Sequence, residues 1–210
     1  MSSGWHLHHS LVEQATGRNA FARDEPATGS TALDAEHTLS AVGARWLAGL
    51  LAHAPALAAL CAPTVNAYGR FRPNALAPQS VLWGRDNRGA LLRVVGGAGD
   101  GATRIENRLG EPSANPYLTM AGHVYAGLDG LQQALLPPPA TEAPYGTQGQ
   151  ALPRTLADAL AALDADSALR CGLGGDVVDW YRRLKSSEVS RHEAAEDKAE
   201  WDRREYFGRL

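Results

Sequence analysis

Arg104, Glu106 and Arg108, set two apart in Thr103-Arg104-Ile105-Glu106-Asn107-Arg108, name a chemistry more directly than any other residues of the sequence. In an extended segment, side chains two apart share a face, so a cation, a carboxylate and a second cation would project together. Such a row suits a metal ion and anionic oxygens, and Glu106 then needs partners from elsewhere in the chain. Near the N-terminus, His6-Leu7-His8 alternates polar and apolar residues in the manner of a half-buried strand, which places His6, His8 and Ser10 on one face. Neutral imidazole binds divalent ions, so His6 is a candidate co-ligand of Glu106. Two ligands do not complete a site, because magnesium keeps several waters and relies on carboxylates and substrate phosphates. On spacing alone, a surface or packing role for His6 carries more weight.

A second constellation is the crowd of arginines Arg70, Arg72, Arg85, Arg88, Arg93, Arg104 and Arg108. The guanidinium is a permanently charged planar fork matched to carboxylate and phosphate, so the crowd points to an anionic substrate, with some members in structural ion pairs. The elements that must position these residues follow from local pattern. Ser80–Arg85 and Ala90–Val95 read as strands joined by the polar turn Asp86-Asn87-Arg88-Gly89, a hairpin, and Thr103–Arg108 is the next strand. The glycines of 96–101 are not a phosphate loop, since no lysine follows and no helix opens after them. Apolar spacing from Leu39 to Leu51 predicts a helix capped by Thr38 or Ser40, and Pro55 opens a short second one ending near Cys61. Ser113 can cap a helix through Leu128. Further helices follow Pro153 and Gly175, the latter with Trp180, Tyr181 and Leu184 as core. The charged final thirty residues read as a solvated helix. Strands in 1–110 and helices in 111–210 predict an α+β fold, an antiparallel sheet flanked by helices, within one domain.

Composition excludes several classes. A formal net charge of −3 over 210 residues gives no basic field for nucleic acid, and basic and aromatic residues do not interleave. No run of about 18 apolar residues occurs, so no membrane span is expected. The N-terminus lacks the basic-then-apolar order of a signal peptide, and cytoplasmic location is the expectation. Cys61 and Cys171 stand far apart without metal-ligand spacing, and are expected as reduced thiols.

Five ordered motifs carry a resemblance that covers nearly the whole chain. They are Ser3-Gly4-Trp5-His6-Leu7-His8-His9-Ser10-Leu11, Ala62-Pro63-Thr64-Val65-Asn66-Ala67-Tyr68-Gly69-Arg70, Trp83-Gly84-Arg85-Asp86-Asn87-Arg88, Arg104-Ile105-Glu106-Asn107-Arg108, and Ala114-Asn115-Pro116-Tyr117-Leu118 with Ala126-Gly127-Leu128-Asp129-Gly130. Together the sequence resembles the C-terminal catalytic half of the glutamine synthetase family. The resemblance implies an ATP-dependent ligase that phosphorylates the side-chain carboxylate of glutamate and lets ammonia or an organic amine displace the phosphate. It implies His6 and Glu106 as ligands of Mg2+ or Mn2+, and His8, Ser10, Arg93 and Arg104 near the nucleotide. Arg70 and Arg108 would hold glutamate and its developing phosphate, and Arg88 would lie at the point of transfer, touching substrate and nucleotide. Phosphoryl transfer needs such charge on oxygens that gain negative charge more than it needs a covalent nucleophile.

Three departures qualify the expectation. The family's preceding region, a small β-grasp domain and most of the acidic metal ligands, is absent from these residues, so the chain is expected to be an incomplete catalytic half. Family members form homo-oligomeric double rings with active sites between subunits, and lacking that domain argues against ring assembly here. A glutamate of the family flap corresponds to Leu76, which can neither bind ammonium nor accept a proton, favouring a γ-glutamyl amine ligase with a larger amine. Gly101 stands where a lysine is common near the nucleotide. The alternative is a non-catalytic remnant or interaction module that keeps the fold.

Overall fold

Alternation and helical spacing become four short strands and seven α-helices in the computed structural model, which describes residues 4–72 and 77–208. The strands are β1 (Leu7–His9), β2 (Trp83–Arg85), β3 (Leu92–Val95) and β4 (Arg104–Asn107), in the sheet order β1-β4-β3-β2. β4 pairs antiparallel with both β1 and β3. β2 runs parallel to β3, so the sheet is mixed and the expected antiparallel hairpin is corrected. The 86–91 loop doubles back, and the Leu91 N–H donates to Leu82 O at 3.0 Å, which restarts the chain beside the beginning of β2 rather than beside its end.

The helices are α1 (Ala41–Ala52), α2 (Ala54–Cys61), α3 (Pro116–Gln132), α4 (Leu156–Ala165), α5 (Ser167–Leu173), α6 (Gly175–Glu193) and α7 (Lys198–Tyr206). Ser40 caps α1 by accepting from Gly43 N, and Pro55 occupies the first turn of α2. Asn115, not Ser113, caps α3: its side chain accepts from the N–H groups of Tyr117 and Leu118, while Ser113 bonds Glu111. The final thirty residues are not one solvated helix, because the chain turns between α6 and α7 and α7 buries Trp201 and Tyr206. Trp180 and Leu184 are 65% and 66% exposed, contrary to the core reading. α6 instead turns Tyr181 inward, where its hydroxyl donates to Ala59 O.

Leu92, Val94 and Ile105 from the rear of the sheet join Leu47, Leu50 and Leu57 of α1 and α2 in one buried cluster. Behind them α1 packs on α3, α2 on α4, α3 on α5 and α4 on α6. α1 and α3 meet backbone to backbone. A Cβ on Gly49 would strike Ala126 O and lie 2.9 Å from Gly130 Cα, so only glycine permits this approach. No single helix among the described residues is long and apolar enough to cross a membrane.

Candidate active site

The front of the sheet is polar because β1, β3 and β4 each send alternate residues forward. Register places Glu106 between His8 on β1 and Arg93 on β3, forming a row across three strands. Glu106 is only 2% exposed, and a carboxylate so buried must be paired to stay ionised. Its Oε1 accepts from Arg108 Nη1 at 2.8 Å and lies 3.0 Å from His6 Nδ1 and 3.6 Å from His8 Nε2. Its Oε2 accepts from Arg93 Nη1 at 3.0 Å. Burial works to raise the Glu106 pKa, but the Arg93 hydrogen bond, the Arg108 charge and the two imidazoles together hold it below the usual carboxylate value. His6 responds in the opposite sense. Burial and the Arg108 charge lower its pKa against the pull of Glu106, which favours the neutral imidazole at neutral pH.

An ionised carboxylate beside a neutral imidazole is a donor pair for a hard divalent cation. Adjacent ligands about 2.1 Å from a six-coordinate ion stand about 3.0 Å apart, as the His6 and Glu106 donors do. The spacing of the pair therefore fits two ligands of Mg2+ or Mn2+. Among the described residues, no group of three or more His, Cys, Asp or Glu side chains is arranged to hold a metal ion.

The remaining sequence-selected residues surround this cluster at different distances. Arg104 Nε donates to His8 Nδ1 at 3.4 Å, and Arg104, His8 and Ser10 line a cavity of about 380 Å³ with Asn19 and Gly101. Arg70, at the end of the 3-10 helix Val65–Arg70, donates to the main-chain carbonyls of Leu109 and Gly110 just after β4. Its charge also acts on His6. Arg88 is exposed on the 86–91 turn and opens, with Arg85 and Glu142, onto a larger cavity of about 720 Å³. His6, His8, Arg93, Arg104, Glu106 and Arg108 are thus joined by direct contacts, while Ser10 and Arg88 lie at the mouths of two cavities.

Two supporting sets escaped the sequence reading. Asp86, in the turn before Arg88, accepts from Arg93 Nε at 2.9 Å and from Arg93 Nη2. An acid placed between a strand and an arginine-rich turn was the available signal. Behind the sheet, Asn107 Nδ2 donates to His123 Nε2 at 2.8 Å, and Trp46 Nε1 donates to His9 Nε2 at 3.0 Å. Burial depresses the pKa of His9 to about 3 and of His123 to about 4, so both are neutral packing groups. They tie Glu106's neighbour in the strand to α3 and β1 to α1.

A mixed sheet that gathers one buried carboxylate, imidazoles and converging guanidiniums on one face carries the residue types that phosphoryl-transferring enzymes use. The family model described as the catalytic domain of glutamine synthetase matches residues 1–206. The chain is 40% identical over 220 residues to a gamma-glutamylanilide synthase of an Acinetobacter species, covering 100% of this chain and 42% of the relative. It is 36% identical over 210 residues to a glutamine synthetase of Thermus thermophilus, covering 96% of this chain and 44% of that one. A solved structure of a GmaS/ADP complex superposes with a TM-score of 0.78 at 30% identity, over 98% of this chain and 46% of that chain. The chain belongs to the glutamine synthetase family and has its catalytic-domain fold. It spans less than half the length of each of these relatives.

Proposed function

We propose that this chain is the nucleotide- and glutamate-binding part of an ATP-dependent carboxylate-amine ligase. The observation that carries the reading is the buried Glu106 carboxylate, held among the imidazoles of His6 and His8 and the guanidiniums of Arg93 and Arg108 on one sheet face. In the reaction, a side-chain carboxylate oxygen of glutamate bonds to the terminal phosphorus of ATP as the bond to ADP breaks. The amine nitrogen then attacks the acyl carbon, phosphate leaves, and the nitrogen loses a proton. His6 and Glu106 would hold Mg2+ or Mn2+, which would supply positive charge to phosphate oxygens. Arg108 and Arg93 keep Glu106 ionised, and with Arg88 they place guanidinium charge where the transferring group becomes more negative. His8, Ser10 and Arg104 border a cavity that would take the nucleotide, a reading supported by the ADP complex of the solved relative. Arg70 and Arg108 are the glutamate-side cations.

An organic amine is preferred to ammonia on this reading. Leu76, which lies outside the described residues, brings no carboxylate to the place of the family's flap glutamate, and the relative named for a γ-glutamylanilide supports a larger amine. An amine panel run on an active form should show organic amines turning over faster than ammonia, and ammonia as by far the best substrate would defeat the preference.

The 210-residue chain alone is expected to bind nucleotide while turning over weakly or not at all, since its described metal donors are a pair. That same observation favours the second reading, a non-catalytic module that keeps the fold. Calorimetry with ATP and Mg2+ separates the two. Saturable binding that Glu106→Gln abolishes supports the ligase site, and absence of binding leaves the non-catalytic module. Phosphate release from this chain that depends on both glutamate and an amine would overturn the expectation of weak turnover.

A further inference from the structure

We propose that Asp86 is a positioning residue that sets how Arg93 grips Glu106, and thereby leaves Glu106 able to accept a divalent cation. The inference rests on the metal role of Glu106 given above. Register puts Arg93 directly opposite Glu106, close enough for the two parallel bonds that arginine commonly makes to a carboxylate. Arg93 makes one. Nη1 reaches Oε2 at 3.0 Å, while Nε donates to Asp86 Oδ1 at 2.9 Å and Nη2 donates to the same oxygen. Of the two forked edges of the guanidinium, the Nε/Nη2 edge is therefore held by a different acid, which fixes the angle at which Nη1 meets Glu106.

Asp86 is built to stay there. It is one of two non-glycine residues with positive φ among those described, at 46°, a conformation that aspartate and asparagine tolerate better than most side chains. Its N–H donates to Val94 O at 2.9 Å, which fixes the turn beside the residue that follows Arg93. The burial gradient gives the direction of action. The side chains of Glu106, Arg93 and Asp86 are 3%, 15% and 74% exposed, so Asp86 holds Arg93 from the solvent side. The Arg93 hydrogen bonds and charge also keep the Asp86 carboxyl ionised. With Asp86 neutral, the charge that holds the Nε/Nη2 edge is lost, and the guanidinium is free to turn toward the Glu106 carboxylate it already touches. A guanidinium turned fully onto Glu106 would occupy the lone pairs a cation needs.

Asp86→Asn removes the charge and keeps a residue suited to positive φ. Two readouts are made on the whole chain: Mn2+ affinity in the presence of ATP, followed by electron paramagnetic resonance, and solvent exchange of the Arg93 Nε–H, followed by NMR. The expected result is about tenfold weaker Mn2+ binding, the scale on which groups that orient a metal ligand act, together with faster Nε–H exchange. In an Arg93→Gln background, Asp86→Asn should change Mn2+ affinity no further, because the effect runs through Arg93. Equal Mn2+ affinity in the wild type and Asp86→Asn, or the same loss in both backgrounds, overturns the inference. If the wild type binds no Mn2+ with ATP, the metal reading fails. The exchange measurement then decides the positioning claim by itself, with unchanged exchange overturning it.

Discussion

His53, at the junction of α1 and α2, should make the stability of the helical layer depend on pH. Its Nδ1 lies 2.6 Å from Asp166 Oδ2 and its Nε2 lies 3.0 Å from Asp129 Oδ2. A neutral imidazole donates from one nitrogen only, so one carboxylate would face a lone pair, whereas imidazolium satisfies both. Burial lowers the His53 pKa, but the hydrogen bonds and charges of Asp166 and Asp129 outweigh it and the net shift is upward. A folded-state pKa above the unfolded value of 6.5 means that the stabilisation is full below about pH 6.5 and is lost as pH rises through the folded value. The contact ties three helices together: Asp166 both ends α4 and caps α5 through Leu169 N, and Asp129 is in the last turn of α3. Replacing His53 by Gln keeps one neutral hydrogen bond and loses a charge-assisted one, about 2 kcal/mol at pH 6. In a chain of this size that is about 4–8 °C in Tm. Thermal melts of both proteins between pH 5.5 and 9 should show a gap that narrows as pH rises, and NMR should place His53 titration above 6.5. A gap independent of pH, or titration below 6.5, would refute the reasoning.

Other perturbations give sharper local answers. Gly49→Ala should cost about 2–3 kcal/mol by forcing α1 from α3, read from chemical denaturation, and a neutral effect would contradict the backbone contact. Tyr206→Phe removes the hydroxyl that accepts from Val65 N at 2.9 Å and donates to the buried Glu188, so a loss of about 2 kcal/mol is expected in the same assay. Burial raises the Cys61 thiol pKa to about 12, while Cys171 is exposed, so a thiol reagent should modify Cys171 rapidly and Cys61 only after denaturation. Rapid labelling of both in the native protein would show that the α2 end opens.

The front of the sheet was legible because strand alternation is a short-range rule. His6, His8, Arg104, Glu106 and Arg108 needed only period two to fall on one face, and the register then brought them into contact. Strand direction was not legible. Two apolar runs around Asp86-Asn87-Arg88-Gly89 carry the local signature of a hairpin, but β2 is also fixed by residues far along the chain. Thr141 N donates to Trp83 O at 2.9 Å, and Trp83 Nε1 donates to Pro138 O at 2.6 Å. The inward face of α6 was misread for a similar reason. Trp180 and Leu184 are its larger apolar residues, yet Tyr181 and Glu188 make the tertiary hydrogen bonds that orient the helix, and their partners Ala59 and Tyr206 belong to other elements.

The glycine contact between α1 and α3 limits where this molecule can move. Two helices without side chains at their crossing cannot slide by swapping rotamers, so they form one slab, and His9 and His123 bolt the rear of the sheet to it through Trp46 and Asn107. Glu106 therefore sits on an anvil, while the turns at 86–91 and 96–101 hang from its edges. The helical slab thus reaches Glu106 as a rigid support from behind, whereas the 86–91 turn reaches it from in front through Asp86 and Arg93, so substitutions in that turn are the ones the carboxylate feels.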